Sequence, residues 1–580
     1  MYFEDDQSQR VNHVRQLAIP GVPIPMEEWV PDPEGEHGEV FTRRWIVEFI
    51  LDLIGYEPGE DLASKVIVEP SCGCGAFMLP IVERLIESCR RHDRPLDDAV
   101  GAIRGFDLLE HNVEVTRKAV MSKLMAAGET LGGAEHLSNA WVTTRDFLLT
   151  PHPERSADFV VGNPPYIRLE DIPKAISDAY RAECTTMRGR ADIYVGFYEK
   201  GLELLRPEGR LAFICADRWM RNQYGARLRQ LVSDSYAVDF VIAMHDVDAF
   251  EEEVSAYPAI TVLRNGEQQG TRVVEAHSSF DAPAGERILR WASDGGVPHG
   301  CSSFEAVDLP GWFAGPGLWP SGSPHHLELI AELEHKFPPL EDPRTGTRVG
   351  IGVASGCDDI FIAADPPDVE PDRLLPLVMA GDIRDGTVEW AGRHLVNPWM
   401  DGQLVDLDNY PRLAAYYRTH EARLRGRHVA GKQPHAWYRT IDRVSPALRS
   451  QPKLLLPDIK AAAHPVLDTG AYYPHHNLYY VVSDTWDLEV LGAILLSDIA
   501  NLFVGAYCVK MRGGTYRFQA QYLRKIRVPD QATMSPAHRA ALRTAFRTRD
   551  VAAATRASLD AYELPPDVLG AARSSGIHVG

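Results

Sequence analysis

Cysteine is scarce in this chain, with eight residues among 580, too few for the disulfide framework that staples small secreted domains. The pair Cys72 and Cys74 is one residue short of a C-x-x-C, has no matching ligand pair and lies inside a glycine-rich turn, so no metal site is assigned. A hydrophobic run of membrane-spanning length is lacking, and Met1-Tyr2-Phe3-Glu4-Asp5-Asp6 is acidic, without the apolar segment of a signal peptide. The expectation is a cytoplasmic protein with no membrane partner. Repeats of solenoid period are absent as well. Positive charge is short overall: 60 Lys and Arg against 81 Asp and Glu leave a formal charge of −21. Taken over the whole molecule, that balance argues against a nucleic-acid partner, so the distribution of charge has to decide the matter. With 45% hydrophobic residues, the chain can bury two or three cores.

What is present begins with Asn163-Pro164-Pro165-Tyr166, directly after the apolar run Phe159-Val160-Val161-Gly162. An amino nitrogen on an aromatic ring is a poor nucleophile, because its lone pair is delocalised. A catalyst that methylates it must draw that pair out by accepting its two hydrogens. The Asn163 side-chain oxygen and the Pro164 carbonyl can take one N–H each. The Tyr166 ring offers a face on which a base pulled from a duplex can stack. The bland alternative for Pro-Pro after a strand is a stiff loop entry.

A methyl donor needs its own site at a neighbouring strand end, where open α/β sheets bind ligands. Lys65 to Val68 has the pattern of a buried strand, and Glu69-Pro70-Ser71-Cys72-Gly73-Cys74-Gly75-Ala76-Phe77 is a glycine-rich turn opening into a helix from Met78 to Cys89. Gly73 and Gly75 let backbone approach a ligand closely. The next strand, Ala102 to Phe106, ends at Asp107, where an acidic group meets ribose hydroxyls in such folds. A third, from Trp141, ends near Asp146, a carboxylate for an adenine amino group, and Phe147, a ring to lie beside it. Four consecutive strand ends with polar or glycine-rich groups predict a doubly wound sheet with two ligands along one edge.

These residues resemble the γ-class amino-methylating DNA methyltransferases, the TaqI-type N6-adenine enzymes of bacterial restriction-modification or defence systems. The resemblance covers most of the chain and implies S-adenosyl-L-methionine as cofactor. It also implies direct in-line transfer to the amino group of a flipped adenine in double-stranded DNA. Asn163, Pro164, Pro165 and Tyr166 then carry catalysis, and Phe250 resembles the ring that stacks on the flipped base, with Tyr257 as its rival. Glu69, Ser71, Gly73, Gly75, Asp107, Asp146 and Phe147 are the implied donor site. Gly38-Glu39-Val40-Phe41-Thr42 looks like the family's N-terminal motif, so Phe41 and Thr42 would close over the methionine end. Thr42-Arg43 stands where Thr-Pro is usual, and Ser71-Cys72-Gly73-Cys74-Gly75 where Ala-Cys-Gly-Ser-Gly is usual. Asp192 looks like the start of a later motif, with a helix cap as the alternative. Asn at the first position of Asn-Pro-Pro-Tyr favours adenine over cytosine in the family.

The positive charge is concentrated downstream. Between Arg412 and Lys453 stand ten cations against two acids, Glu421 and Asp442. Lys510, Arg512, Arg517, Arg524, Lys525 and Arg527 follow with no acid among them. Arg423, Arg425, Arg427, Lys432, Arg439, Lys510, Arg512 and Arg517 are the candidate DNA contacts, with Trp437, Tyr438 and Tyr516 interleaved; a solvated basic face is the alternative. The predicted architecture is an N-terminal extension (1–40), a Rossmann-like α/β methyltransferase domain (41–265) and a connector (266–339). A mixed α+β target-recognition domain (340–530) and a C-terminal helical tail (531–580) follow. Val349 to Phe361, Lys453 to Ile459 and Asn501 to Pro529 resemble segments of the family's recognition region. A cognate restriction endonuclease or defence subunits would be partners, and the nucleoid of a bacterial cell the place of action. The alternatives are an N4-cytosine, RNA or protein-glutamine methyltransferase, or a DNA-binding specificity subunit with a vestigial donor site. A fused nuclease is a further reading, for which Pro457-Asp458-Ile459-Lys460 is the only candidate and lacks an upstream acid.

Overall fold

The computed structural model describes residues 41–251, 257–296, 298, 301–508, 511 and 514–570. The predicted extension 1–40, together with Val254, Lys510, Arg512 and Gly513, lies outside the described residues. The chain divides into two compact units, with the division after Pro324.

The first unit is built on a nine-stranded sheet. Its strands are β1 (Ile67–Glu69), β2 (Ile103–Asp107), β3 (Val142–Thr144), β4 (Ala157–Gly162), β5 (Leu205–Ala216), β6 (Ala237–Ala243), β7 (Pro258–Arg264), β8 (Thr271–Ala276) and β9 (Phe304–Leu309). Their spatial order is β3-β2-β1-β4-β5-β7-β6-β8-β9. The strands β3, β2, β1, β4 and β5 run parallel, and β7 is inserted antiparallel between β5 and β6. Chain order reverses between β1 and β4, the switch point at which doubly wound sheets open a crevice at their carboxyl ends.

Helices cover both faces. The helix α1 (Arg44–Ile54) places Ile46, Val47, Ile50, Leu51 and Ile54 in the core and stops at Gly55 in the left-handed conformation (φ 78°), which a glycine takes without a Cβ penalty. With α2 (Met78–Arg91), α3 (Glu110–Ala126) and α4 (Leu131–Trp141) it packs one core around Ile67, Ile103, Trp141 and Ile260. The other core gathers Val160, Tyr194, Tyr198, Phe213 and Trp219 beneath α5 (Lys174–Glu183) and α6 (Tyr194–Leu204).

One predicted boundary is corrected. The stretch 266–339 is not a connector: β8 pairs parallel with β6 and β9 pairs antiparallel with β8, extending the sheet. A helix at Ala282–Asp294 lies between them, its N-terminus capped by the Asp281 side chain. Of the segments that suggested a connector, Gly295-Gly296 lies between that helix and β9, and Gly315-Pro316-Gly317 follows β9. Of the expected helical tail 531–580, the described residues form the helices Pro536–Thr548 and Val551–Ala561, separated at Arg549 (φ 57°), which pack against Leu488–Leu496 through Leu496, Ala545 and Ala554.

The second unit holds two four-stranded sheets. One orders Arg348–Ile351, Leu478–Val482, Lys453–Pro457 and Val466–Asp468, all antiparallel. The other orders Ile362–Ala363, His394–Val396, Leu374–Val378 and Tyr473–Pro474. Among the described residues no single helix is long and apolar enough to cross a membrane. The apolar pair Leu488–Leu496 and Asp498–Tyr507 is bent by 61° and largely buried in this unit.

Candidate active site

The glycine-rich turn after β1 is held by a set of bonds that leaves open space beside Gly73. Gly73 and Gly75 have φ of 46° and 96°, the region that favours glycine. The Gly73 amide donates to Asp107 Oδ2 (2.8 Å) and its carbonyl accepts from Thr116 Oγ1 (2.8 Å). The Cys72 amide donates to the Phe106 carbonyl (2.8 Å). A Cβ built on Gly73 would meet nothing within 4 Å, so the turn is open where a ligand would lie. Asp107 thus clamps the turn to the end of β2 while its Oδ1 accepts from the Leu109 amide (2.9 Å) and Asn112 Nδ2 (3.2 Å). Thr116 and Asn112 were not singled out in the sequence, because they sit on a helix whose facing turn only the fold reveals.

Glu69, at the end of β1, is 2% exposed, and its Oε2 has no hydrogen-bond partner. Burial, and then the neighbouring Asp107, pushes its carboxyl well above the usual range. A buried acid with a vacant oxygen costs free energy unless something cationic or hydrogen-donating meets it. The ammonium end of an amino-acid-like cofactor such as S-adenosylmethionine fits that description.

Asn163 follows β4, the strand beside β1. Its Nδ2 donates to Thr42 Oγ1 (3.3 Å), which turns the side-chain oxygen to the opposite side, and its backbone carbonyl accepts from Ser71 Oγ (3.4 Å). Thr42 and Phe250, far apart in sequence, form an antiparallel bridge. It is flanked by the Arg43 amide on the Ala249 carbonyl (3.0 Å) and the Glu251 amide on the Phe41 carbonyl (2.9 Å). Arg43, standing where the resembled motif has proline, uses the N–H that a proline would lack, and its guanidinium pairs with Asp248 (2.6 Å). Phe41, Thr42, Ser71, Asn163 and Phe250 are therefore one bonded cluster.

Pro164 is buried and Pro165 and Tyr166 are half-buried. The Tyr166 hydroxyl donates to the Ile214 carbonyl of β5 (3.4 Å), and its ring lies edge-on to Tyr194, 6.3 Å between centroids. Burial raises the Tyr166 phenol well above its usual value, so it stays neutral. Behind it Tyr194 and Tyr224 share a hydrogen bond (2.6 Å), and Tyr224 donates to Asp192 Oδ2 (2.9 Å). Asp192 is no helix cap: Ile193 occupies that position and no side-chain cap bond forms. Its carboxyl is raised by burial and buttresses the tyrosines.

Three expectations shift in detail. Asp146 already uses both oxygens, accepting from the Leu148 and Leu149 amides (2.9 and 3.2 Å) and from the Tyr180 hydroxyl (2.8 Å). Phe147 is 2% exposed and stacks on Phe197, 5.6 Å away at 18°. Phe250 is 5% exposed and belongs to the core, whereas Tyr257 is 55% exposed and lies edge-on to His245. The next strand end, that of β5, carries a group that the sequence reading passed over. Asp217 accepts from Arg221 (2.6 and 2.7 Å) and contacts His245 Nε2 at 3.0 Å. Burial opposes its charge, but the His245 bond and the Arg221 cation hold it below the usual range. Its strand-end position, the rule that found the other four, would have identified it.

The predicted DNA contacts divide. Arg423 pairs with Asp359 (3.0 Å), Arg425 with Glu421 (2.7 Å) and Arg517 with Asp458. Arg427 is committed to the fold: it donates to the carbonyls of Leu424, Ser355, Trp437 and Arg439 (2.7 to 3.1 Å), and burial lowers its pKa. Trp437 (8% exposed) and Tyr438 belong to a core cluster rather than forming an open platform. Lys453 is fully buried against Asp468 (2.7 Å). Lys432 is exposed, and among the described residues Arg439 donates to neutral acceptors, Gln433 Oε1 and the Thr440 and Ile441 carbonyls. Lys510 and Arg512 lie outside the described residues. Asp458, the candidate nuclease acid, is held by Arg517. One group of side chains at metal-ligand spacing occurs among the described residues: Asp358, His475 and His476. There the His475 Nε2 contact to Asp358 Oδ2 (3.2 Å) and the Ser355 bond to Asp358 Oδ1 tie the 353–361 loop in place.

A mixed sheet whose β3, β2, β1, β4 and β5 run parallel in this order, with its polar groups at their carboxyl edge, defines a Rossmann-like methyltransferase fold. Comparison with known proteins makes the assignment specific. Residues 102–250 match the Eco57I restriction-modification methylase family. The chain is 42% identical to Type II methyltransferase M.XhoI of Xanthomonas vasicola, covering 91% of this chain and 97% of that one. It is 43% identical to M.PaeR7I of Pseudomonas aeruginosa over 93% and 94%, and 40% identical to M.BstVI of Geobacillus stearothermophilus over 86% and 91%. The chain belongs to the Type II methyltransferases of restriction-modification systems.

Proposed function

We propose that this protein transfers the methyl group of S-adenosyl-L-methionine to N6 of an adenine flipped out of duplex DNA. The observation that carries the reading is the placement of Asn163-Pro164-Pro165-Tyr166 beside the open glycine-rich turn, with Thr42 bonded to the Asn163 amide. The sulfonium donor supplies an electrophilic methyl group when bound. Glu69 would take the donor's ammonium, the open backbone of Gly73 would lie against its amino-acid end, and the Asp107 region would meet its ribose. Asp146 and Phe147 would frame its adenine by position, Asp146 with lone pairs left over from its internal bonds.

At the acceptor, the Asn163 side-chain oxygen and the Pro164 carbonyl would each accept one hydrogen of the adenine amino group. That draws its lone pair toward the methyl as positive charge develops on nitrogen. The phenol tether to β5 holds the Tyr166 ring in one plane for the base to stack on. Phe250 supports the opposite wall through its bridge to Thr42. The attacking nitrogen sheds its proton to water once transfer begins, so no strong general base is needed. The reading further implies a cytoplasmic enzyme that acts on the nucleoid and shields sites from a cognate endonuclease.

The test is incubation with unmethylated duplex DNA and methyl-labelled donor, digestion to nucleosides and mass spectrometry. Labelled N6-methyladenine is expected. Label on cytosine would keep the site and change the base, and label only on RNA or protein would overturn the DNA assignment.

A further inference from the structure

A hairpin in the second unit, Trp399–Met400 paired with Gln403–Leu404, exposes Met400, Asp401 and Gln403. Its turn, Asp401-Gly402, has φ of 49° and 77°, the two positive values of a type I′ turn whose twist suits a tight two-stranded ribbon. Met400, next to the turn, is 45% exposed. A second hairpin, Ile383–Arg384 with Thr387–Val388, has the same Asp-Gly turn, but there a Cβ on Gly386 would come within 2.5 Å of the Arg549 side chain. Its turn is covered by Arg549, although Arg384, Asp385 and Thr387 are exposed. The first has only Arg443 near Gly402, at 3.9 Å.

The ribbon is bolted to a rigid loop. Trp399 is buried (4% exposed), and its Nε1 donates to Thr440 Oγ1 (2.8 Å). The 440–442 loop is in turn locked to Ala354-Ser355. The Ile441 amide bonds the Ser355 carbonyl (3.2 Å), the Asp442 amide bonds the Ala354 carbonyl (3.1 Å), and the Ala354 amide bonds Asp442 Oδ2 (2.8 Å). These bonds fix Ile441, 49% exposed, in place at the surface. Arg439 and Arg443 both lie over the Trp399 ring, 5.5 and 5.6 Å from its centroid. Arg443 is exposed and forms no ion pair among the described residues, whereas Arg412, Arg423 and Arg425 each meet an acid.

We infer that the Trp399–Leu404 ribbon and the Arg439–Arg443 loop form the face that enters a groove of duplex DNA and reads it; the inference rests on the DNA reading above. A two-stranded ribbon fits the major groove, about 12 Å wide. Met400 and Ile441 present methyl-sized apolar contacts for thymine C5-methyl groups, and Asp401 and Gln403 present hydrogen-bonding groups for base edges. Arg439 and Arg443, pre-oriented by the indole, take phosphates. The negative charges at Asp401 and Asp442 leave the patch near neutrality, which suits base reading more than bulk attraction, and Asp442 is occupied with the Ala354 amide.

The test compares the parent protein with Arg443→Ala and with the pair Ile441→Ala and Gln403→Ala. Measurements are donor affinity, thermal melting, duplex affinity against salt, and the sequence spectrum of methylated sites. Donor affinity and melting should match the parent, since all three side chains are exposed. Arg443→Ala should weaken duplex binding alike on all sequences and lower the salt slope by about one. The double variant should keep random-duplex affinity while losing about ten-fold discrimination at one or two base pairs of the target. An unchanged salt slope and an unchanged site spectrum would overturn the inference. A parent that methylates no DNA would instead sink the functional reading, and the salt slope of Arg443→Ala on random duplex would then decide this face by itself.

Discussion

The two units use their polar residues in opposite ways. In the first, Glu69, Gly73, Asp107 and Asn163, singled out one by one along the chain, arrive at one sheet edge, where Gly73 bonds Asp107 and Asn163 bonds Ser71 of the same turn. In the second, cations that stand together in sequence scatter into separate duties. Lys453 is buried, Arg427 is caged by carbonyls, and Arg423 and Arg412 are paired with Asp359 and Asp368. The difference follows from geometry. A parallel sheet brings every strand's carboxyl end to the same side, so strand-end motifs converge whatever their sequence separation. A cation count has no such rule, because its partners come from distant segments.

The strongest challenge to this contrast is Lys453→Ala. Its ammonium also donates to the carbonyls of Leu448, Arg449 and Gln451 (3.0 to 3.1 Å). Removing it strands Asp468 in the interior, at a cost of about 3–5 kcal/mol. Denaturant unfolding should show the loss in the second unit; a change under about 1 kcal/mol would mean that Lys453 is a solvated charge and not a buried partner of Asp468.

Next in size is Asn163→Ala, which removes one acceptor of the attacking amine and should lower the rate constant of transfer by roughly 10²–10³. Donor affinity, measured by calorimetry, should stay within a few fold. If donor binding collapses instead, the Asn163–Thr42 bond serves the donor site and the division of the edge into two ligands is wrong.

Arg427→Ala and Arg423→Ala sharpen the comparison within the basic stretch. The first leaves buried carbonyls without a donor and should cost about 1–3 kcal/mol; the second breaks an exposed ion pair and should cost less than about 1 kcal/mol. Equal losses would mean that both are surface charges.

The smallest effect concerns Glu69. Its native carboxyl titrates above its unfolded value, so the stability conferred by its protonated form is complete at acid pH and lost as pH rises through the raised native value. Glu69→Gln escapes that loss. Without donor, it should melt a few degrees higher than the parent at pH 8, about 2–4 °C per kcal/mol for a unit of this size. The advantage should shrink toward the ordinary glutamate range, and donor affinity should fall. A melting gain independent of pH would mean that the Glu69 carboxyl titrates alike in the native and unfolded states.

Much of the first unit was legible because its signals are local. The apolar run before Asn163, the glycines after β1 and the acid ending β2 each need only a few neighbouring residues to declare themselves. Asp217 escaped notice because β5 is long and its end has no glycine-rich or Pro-Pro mark. The sheet extension by β8 and β9 was hidden by the Gly and Pro residues of its turns, which looked like a connector. In the second unit, hydrophobic Trp437 and Tyr438 among cations suggested a stacking platform, but the same aromatic rings serve equally as core, and packing chose the core.

By itself, the sequence determined the class of fold, the order of strand ends and the residues able to polarise an aromatic amine, since these depend on short-range pattern and on the chemistry of single side chains. Tertiary structure alone decided which charges are free. It brought Phe250 to Thr42, set Asp107 to clamp the donor turn, spent Arg427 and Lys453 on the interior, and left Arg443 exposed above Trp399. The physical reason is that pairing and burial are set by neighbours remote in sequence, and a charged side chain becomes a binding group only when no such neighbour claims it.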